Sequence, residues 1–205
     1  MKTEIRSLFL VLFLCNCLIA QEFQTGRPSS RSVGADAFFG WNGHNSSIWS
    51  VAYNKTGNVL ATAGYDGTVR LWDPTSGKLV LPPLGRNPYA VYTAVFSPDG
   101  TKLASAGADK IVTIWDAKTG TVLGTMMGHV LPIWGLAFTP DGTKLASGGD
   151  DNTVNIWDVS ARTLLRTVTG YTGGIGGVVI SPDGTRIAGG SGSKNIAIKD
   201  FLAGN

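Results

Sequence analysis

Few residues in this 205-residue chain are equipped for chemistry. Two histidines, His44 and His129, each follow a glycine. An imidazole suits proton transfer near neutral pH or metal ligation. Cys15 and Cys17 are the only thiols. Asp150 and Asp151 are adjacent carboxylates, and Gly173-Gly174-Ile175-Gly176-Gly177 has the composition of a phosphate cradle. No Gly-x-Ser-x-Gly nucleophile turn and no P-loop is present. Whether any of these groups can react depends on the elements that position them.

Both cysteines lie in the first twenty residues. Lys2 and Arg6 give that segment a basic start, Leu8 to Leu14 is an unbroken apolar run, and Ala20 is small. From Leu8 to Ala20 is 13 residues, short of the roughly 20 a spanning helix needs. Residues 1–20 therefore read as a secretory signal peptide cleaved after Ala20, which predicts a secreted or periplasmic protein. An uncleaved membrane anchor is the alternative. Neither cysteine follows a small residue, which weakens a lipoprotein reading. The mature chain would have no thiol, no disulfide, no thiolate metal site and no membrane span. Residues 21–36, with Gly26, Pro28, Ser29, Ser30 and Gly34, read as a flexible linker.

Composition narrows the rest. Charged residues are 15% against a usual value of about 25%, so long solvated helices and coiled coils are excluded. The net charge is only +3 and no basic tract exceeds two residues, so the footprint of a nucleic-acid binder is missing. Gly is abundant, at 28 residues, without a triplet period, which points to many tight turns.

A repeat supplies those turns. Trp72-Asp73, Trp115-Asp116 and Trp157-Asp158 are 43 and 42 residues apart. Ser97-Pro98-Asp99-Gly100, Thr139-Pro140-Asp141-Gly142 and Ser181-Pro182-Asp183-Gly184 recur at 42 and 42, with Asn54 to Asn58 at the matching place upstream. His44 and His129 each precede a Trp by 28 residues. Four units follow, at about 43–84, 85–127, 128–169 and 170–205. Within the first, Ile48 to Tyr53, Val59 to Ala63 and Thr68 to Trp72 read as strands, the last two joined by an Asp66-Gly67 hairpin turn. Lys78 to Leu81 reads as a fourth strand. In the fourth unit, Asn195 to Phe201 reads as the third strand, and the glycine run opens a strand, so no helix N-terminus waits there for an anion.

The Gly-His start, the Ser-Pro-Asp-Gly turn and the Trp-Asp end resemble the WD-repeat family over about residues 37–205. The resemblance implies an all-β fold, a β-propeller of four four-stranded blades, as a small closed ring or as part of a larger one. It also implies a structural hydrogen-bonded tetrad of His, Ser or Thr, Asp and Trp in each blade. Those positions hold His44, Thr62, Asp66 and Trp72 in the first unit and His129, Ser147, Asp151 and Trp157 in the third. The second keeps Ser105, Asp109 and Trp115 with Asn87 for the histidine. The fourth has Tyr171, Gly189, Ser193 and Lys199 instead. Both histidines are then absorbed structurally, and no catalytic residue, cofactor or metal ligand is expected.

Family geometry further places Trp49, Tyr92, Trp134 and Gly176 on the rim of the channel, with Tyr65, Ala108, Asp150 and Gly192 facing the same surface. Trp49, Tyr65, Tyr92, Trp134 and Asp150 are the candidate partner-binding residues, aromatics being typical interface anchors. The expectation is an exported, non-catalytic scaffold that binds a protein or peptide partner. A carbohydrate-binding or hydrolytic propeller using the channel mouth, with Asp150 assisting, and a truncated fragment are the alternatives. In the family the segment Ala37 to Trp41 would clasp the last blade. A homodimer completing a larger ring is the other means of closure.

Overall fold

The computed structural model describes residues 43–85, 88–193 and 196–201. The expected signal peptide 1–20, the expected linker 21–36, the expected clasp 37–41 and residues Asn87 and Asn195 lie outside the described residues. The described part is all β, with 14 strands in four antiparallel sheets and no helix.

Blade 1 contains β1 (Ile48–Tyr53), β2 (Leu60–Gly64) and β3 (Val69–Trp72). Blade 2 contains β4 (Val91–Phe96), β5 (Lys102–Gly107), β6 (Ile111–Asp116) and β7 (Val122–Met127). Blade 3 repeats this with β8 (Ile133–Phe138), β9 (Lys144–Gly149), β10 (Val154–Asp158) and β11 (Thr163–Val168). Blade 4 contains β12 (Ile175–Ile180), β13 (Arg186–Ser191) and β14 (Ile196–Asp200). Each sheet is a simple meander in chain order.

The turns between first and second strands are built by their own side chains. In blade 2 the Ser97 hydroxyl donates to Asp99, and accepts from the Lys102 amide at 2.9 Å. Thr139 with Asp141, and Ser181 with Asp183, repeat the pattern. Gly100, Gly142 and Gly184 take φ near +72°, a backbone that glycine adopts without a side-chain clash.

The blades stack face on face. The second strands are rich in alanine (Ala61, Ala63, Ala104, Ala106, Ala146), all buried, because each is covered on both sides. Three apolar clusters fill the junctions. Val69 and Leu71 of blade 1 meet Ala94, Leu103 and Trp115 of blade 2. Val112, Ile114 and Met126 of blade 2 meet Leu136 and Leu145 of blade 3. Val154 and Ile156 of blade 3 meet Val178 and Ile187 of blade 4.

One expectation needs correction. Blade 1 has no continuous fourth strand over Lys78 to Leu81. Leu79 bridges Trp72, Leu84 bridges Val69, and Leu81-Pro82-Pro83 loop out between them. Two consecutive prolines have no N–H to donate to a ladder, so pairing stops and restarts. Blade 4 has three strands among the described residues, and the segment expected to supply its fourth, Ala37 to Trp41, lies outside them. The first strands β1, β4, β8 and β12 run side by side in that order, but β12 does not pack against β1 in the same way.

Candidate functional site: the bulged rim and the histidine networks

One backbone irregularity recurs in all four blades. The pairing of first and second strands skips a residue between Ile48 and Ser50, between Val91 and Thr93, between Ile133 and Gly135, and between Ile175 and Gly177. The skipped residues are Trp49, Tyr92, Trp134 and Gly176. A bulge takes a residue out of the ladder and re-aims its side chain. It brings the three aromatic rings together: Tyr92 and Trp134 stack with centroids 4.0 Å apart and planes 2° off parallel. Trp49 meets both edge-on, at 5.5 Å from Tyr92 and 5.8 Å from Trp134. All three are half-buried.

The residue before each tetrad Asp is tied to the same end of the blade. The amides of Tyr65, Ala108, Asp150 and Gly192 donate to the carbonyls of Ser47, Ala90, Pro132 and Gly174, just ahead of or at the entry to each first strand. Tyr65 is 56% exposed, and Asp150 is half-buried. The Tyr92 hydroxyl is held above the usual phenol range, first by burial and then by the charges of Tyr65 and Asp150. Trp49, Tyr65, Tyr92, Trp134 and Asp150 thus share one neighbourhood. Gly174 is a packing requirement there, since a Cβ on it would lie 2.5 Å from an Asp150 carboxylate oxygen. This accounts for one glycine of the run that resembled a phosphate cradle.

The histidines sit deeper. In blade 3 the Trp157 indole N–H donates to Ser147 Oγ at 2.8 Å, and Ser147 Oγ lies 2.7 Å from His129 Nε2. His129 Nδ1 lies 2.8 Å from Asp151, which also accepts from the Val130 amide. Blade 1 repeats the chain through Trp72, Thr62, His44 and Asp66 at 2.8, 2.7 and 2.9 Å. An indole can only donate, so the hydroxyl must accept from it and donate to Nε2. The imidazole proton therefore sits on Nδ1, facing the carboxylate, and every group is satisfied with the ring neutral.

Serine, histidine and aspartate in this order match the connectivity of a hydrolytic triad. The surroundings forbid that chemistry. Ser147 is fully buried, and its oxygen already accepts from an indole. Burial lowers the His44 pKa and outweighs the opposing pull of Asp66. For Asp66 burial acts upward, but hydrogen bonds from His44, the Asn45 amide and Thr68 bring it down to about 2. Asp151 is likewise lowered, with burial opposed by Thr153, His129 and the Val130 amide.

Sequence reasoning missed two parts of these networks. Thr68 and Thr153 donate their hydroxyls to Asp66 and Asp151 at 2.8 and 2.7 Å. They follow each Asp by two residues, and a Thr at that offset was the available signal. Gly64 and Gly149 make room for the rings: a Cβ would lie 2.5 Å from His44 Nδ1 and 2.9 Å from His129 Nδ1. Arg70, on the tetrad side of β3, reaches Asp66 at 3.5 Å and braces the first network.

Blades 2 and 4 differ. In blade 2 Ser105 accepts from Trp115 at 2.8 Å and Asp109 accepts from the Ile111 amide. In blade 4 the four substitutions fit one another. Tyr171 fills the histidine's place, and a Cβ on Gly189 would lie 2.9 Å from its ring. Lys199, in the tryptophan's place, sits 5.3 Å from the Tyr171 centroid and donates to the Thr169 carbonyl at 2.6 Å. Ser193, in the Asp's place, bonds to Thr172 and Ser191 hydroxyls. The fourth blade has exchanged a hydrogen-bonded lock for a phenol under a cation. Among the described residues, no cluster of three His, Cys, Asp or Glu side chains could hold a metal ion, and no helix is long and apolar enough to cross a membrane.

Comparison with known proteins agrees with this architecture. The family model described as WD domain, G-beta repeat, matches four stretches, 38–73, 84–116, 120–158 and 162–198, well over half the chain. Protein tipD of Dictyostelium discoideum is 53% identical over 38 residues, which cover 18% of this chain and 6% of that protein. Nucleoporin SEH1-A of Xenopus laevis is 59% identical over 32 residues, 16% of this chain and 9% of the relative. Nucleoporin SEH1 of Homo sapiens is 46% identical over 48 residues, 23% and 13% respectively. These matches span a small part of each relative's length. The four bulged and turned sheets, the histidine networks and the fourfold model match together make this chain a member of the WD40 family.

Proposed function

We propose that this protein is a non-catalytic scaffold that binds a protein or peptide partner at the bulged end of its blades, through Trp49, Tyr92 and Trp134 with Tyr65 and Asp150 beside them. The observation that carries this reading is the bulge repeated in all four first strands. A fold that needed only a packed core would not need three large aromatics turned out of the ladder at one end. Aromatic anchors with a nearby charge are the composition of interface hot spots. WD40 folds are interaction folds, and the engagement of both imidazoles inside the blades supports a role without chemistry of its own.

The test uses Tyr65→Ala and Asp150→Ala, which leave the apolar junctions untouched. Affinity capture from the source cells, quantified by mass spectrometry, is expected to return a partner with the wild type and at least tenfold less with the double variant. Equal recovery by both proteins overturns the reading. Glycan binding or hydrolysis abolished by Asp150→Asn would establish the carbohydrate alternative in its place. Export is part of the proposal, carried by the basic start and the apolar run Leu8 to Leu14. The mature chain is expected to begin at Gln21 and to reside in the periplasm or medium. An N-terminal sequence beginning at Met1 in a membrane fraction would replace secretion by anchoring.

A further inference from the structure

From Asp66 to Asp183 every aspartate but one accepts a hydrogen bond. Asp66 and Asp151 hold the imidazoles. Asp73, Asp116 and Asp158 accept from the amides of Thr75, Lys118 and Ser160, and Asp109 from that of Ile111. Asp99, Asp141 and Asp183 accept from the hydroxyls of Ser97, Thr139 and Ser181. The exception is Asp150, whose carboxylate has no hydrogen-bond or ion-pair partner among the described residues. Being half-buried, it keeps only part of its contact with solvent.

The fold does not ask for a carboxylate at this place. Tyr65, Ala108 and Gly192 stand at the corresponding places and make the same backbone hydrogen bond. Asp150 lies against Gly174 and close enough to Tyr92 for its charge to act on the phenol. The two rim positions of the neighbouring blade, Gly176 and Gly192, are exposed and carry no side chain, so nothing there screens the acid. The chain entering β8, whose Pro132 carbonyl holds the Asp150 amide, exposes Val130 at 69% and Leu131 at 45%. An unpaired acid thus sits between the aromatic cluster and two exposed aliphatic side chains.

We infer that Asp150 receives a Lys or Arg side chain of the partner, and that the partner's docking segment is a basic residue flanked by apolar ones. The inference rests on the partner rim proposed above and adds the sign of the charge that the rim selects. A surface that covers the rim takes the remaining solvent from this carboxylate. Burying a charge unpaired is strongly unfavourable, and a charged donor recovers more than a neutral one. An acidic segment brings like-charge repulsion instead. The long stem of a Lys or Arg packs on apolar surface while its head reaches the acid, and Val130 and Leu131 supply that surface beside Asp150.

The test is selection of a random heptapeptide display library on the immobilised full chain. Enriched peptides are expected to carry Lys or Arg next to an apolar residue. A synthetic peptide from that pool should bind Asp150→Asn at least tenfold more weakly than the wild type, and its affinity for the wild type should fall as salt is raised. Asp150→Asn keeps the size of the side chain, and an unchanged melting temperature separates a lost contact from a lost fold. Asp150→Lys should enrich acidic peptides instead. Peptides that need Tyr65 but carry no basic residue leave the rim reading standing and overturn this inference. Basic peptides that bind Asp150→Asn as tightly as the wild type, or a library that yields no binder, overturn it as well.

Discussion

Ser147→Ala removes one oxygen and orphans two buried groups. The Trp157 indole N–H loses its acceptor at 2.8 Å, and His129 Nε2 loses its donor at 2.7 Å. Leaving a buried polar group unsatisfied costs about 1–3 kcal/mol, so with two groups orphaned the variant should be about 2–6 kcal/mol less stable. That is a large share of the roughly 5–15 kcal/mol a domain possesses. Ser105→Ala is the internal control. Its hydroxyl accepts from Trp115 at the same 2.8 Å, in a blade with Asn87 where the histidine would be. One orphaned group predicts a loss of about 1–3 kcal/mol, half that of Ser147→Ala. Urea unfolding followed by tryptophan fluorescence measures both, with equal slopes required before midpoints are compared. Equal losses in the two variants would show that the imidazole link adds nothing, and the account of the histidines as structural locks would be wrong.

Acid should unfold the protein, and the direction follows from the carboxylates. Asp66, Asp99, Asp141 and Asp183 titrate at about 2 in the folded chain against an ordinary 3.8. Their contribution is complete above about pH 4 and is lost as pH falls through 2; for Asp66 it amounts to about 2 kcal/mol. His44, also lowered, adds a loss that begins as pH falls below 6.5. Denaturant midpoints should decline from pH 6 to pH 2, most steeply below 4, and a flat profile refutes the linkage. Lys110 stands at φ +67° where blade 1 has Gly67 at +74°, so Lys110→Gly should stabilise by about 0.5–1 kcal/mol in the same assay, and a loss would contradict the strain argument. Gly189→Ser, which nominally restores a tetrad residue, should instead destabilise blade 4 by about 1–3 kcal/mol, because its Cβ meets the Tyr171 ring; a gain in melting temperature would refute the paired-substitution reading.

The architecture was legible because turn chemistry and spacing repeat: Trp-Asp and Pro-Asp-Gly at near-constant intervals left one arrangement of strands, and β1 falls on Ile48–Tyr53 as expected. The tetrad positions were legible for the same reason, since a fixed register carries side chains to fixed places. What escaped depends on contacts that spacing does not encode. The outer strand of blade 1 was misread because Lys78 to Leu81 is apolar enough for a strand, while Pro82 and Pro83 act through the donors they lack. The bulge was invisible, because an extra residue in one strand shows only against its partner. The fit of Tyr171 to Gly189 is a relation between two residues 18 apart, each of which alone reads as a loss.

The extra residue in each first strand has a consequence for how this molecule can diversify. Neither the pleat nor the stacking of sheets dictates its identity, so a large ring and a bare hydrogen serve equally well at the corresponding places, as Trp134 and Gly176 do. Four such slots form a short string of interchangeable letters written across one mouth of the molecule. Gly176 is its blank, and writing a side chain there is the cheapest way to give the same scaffold a new address.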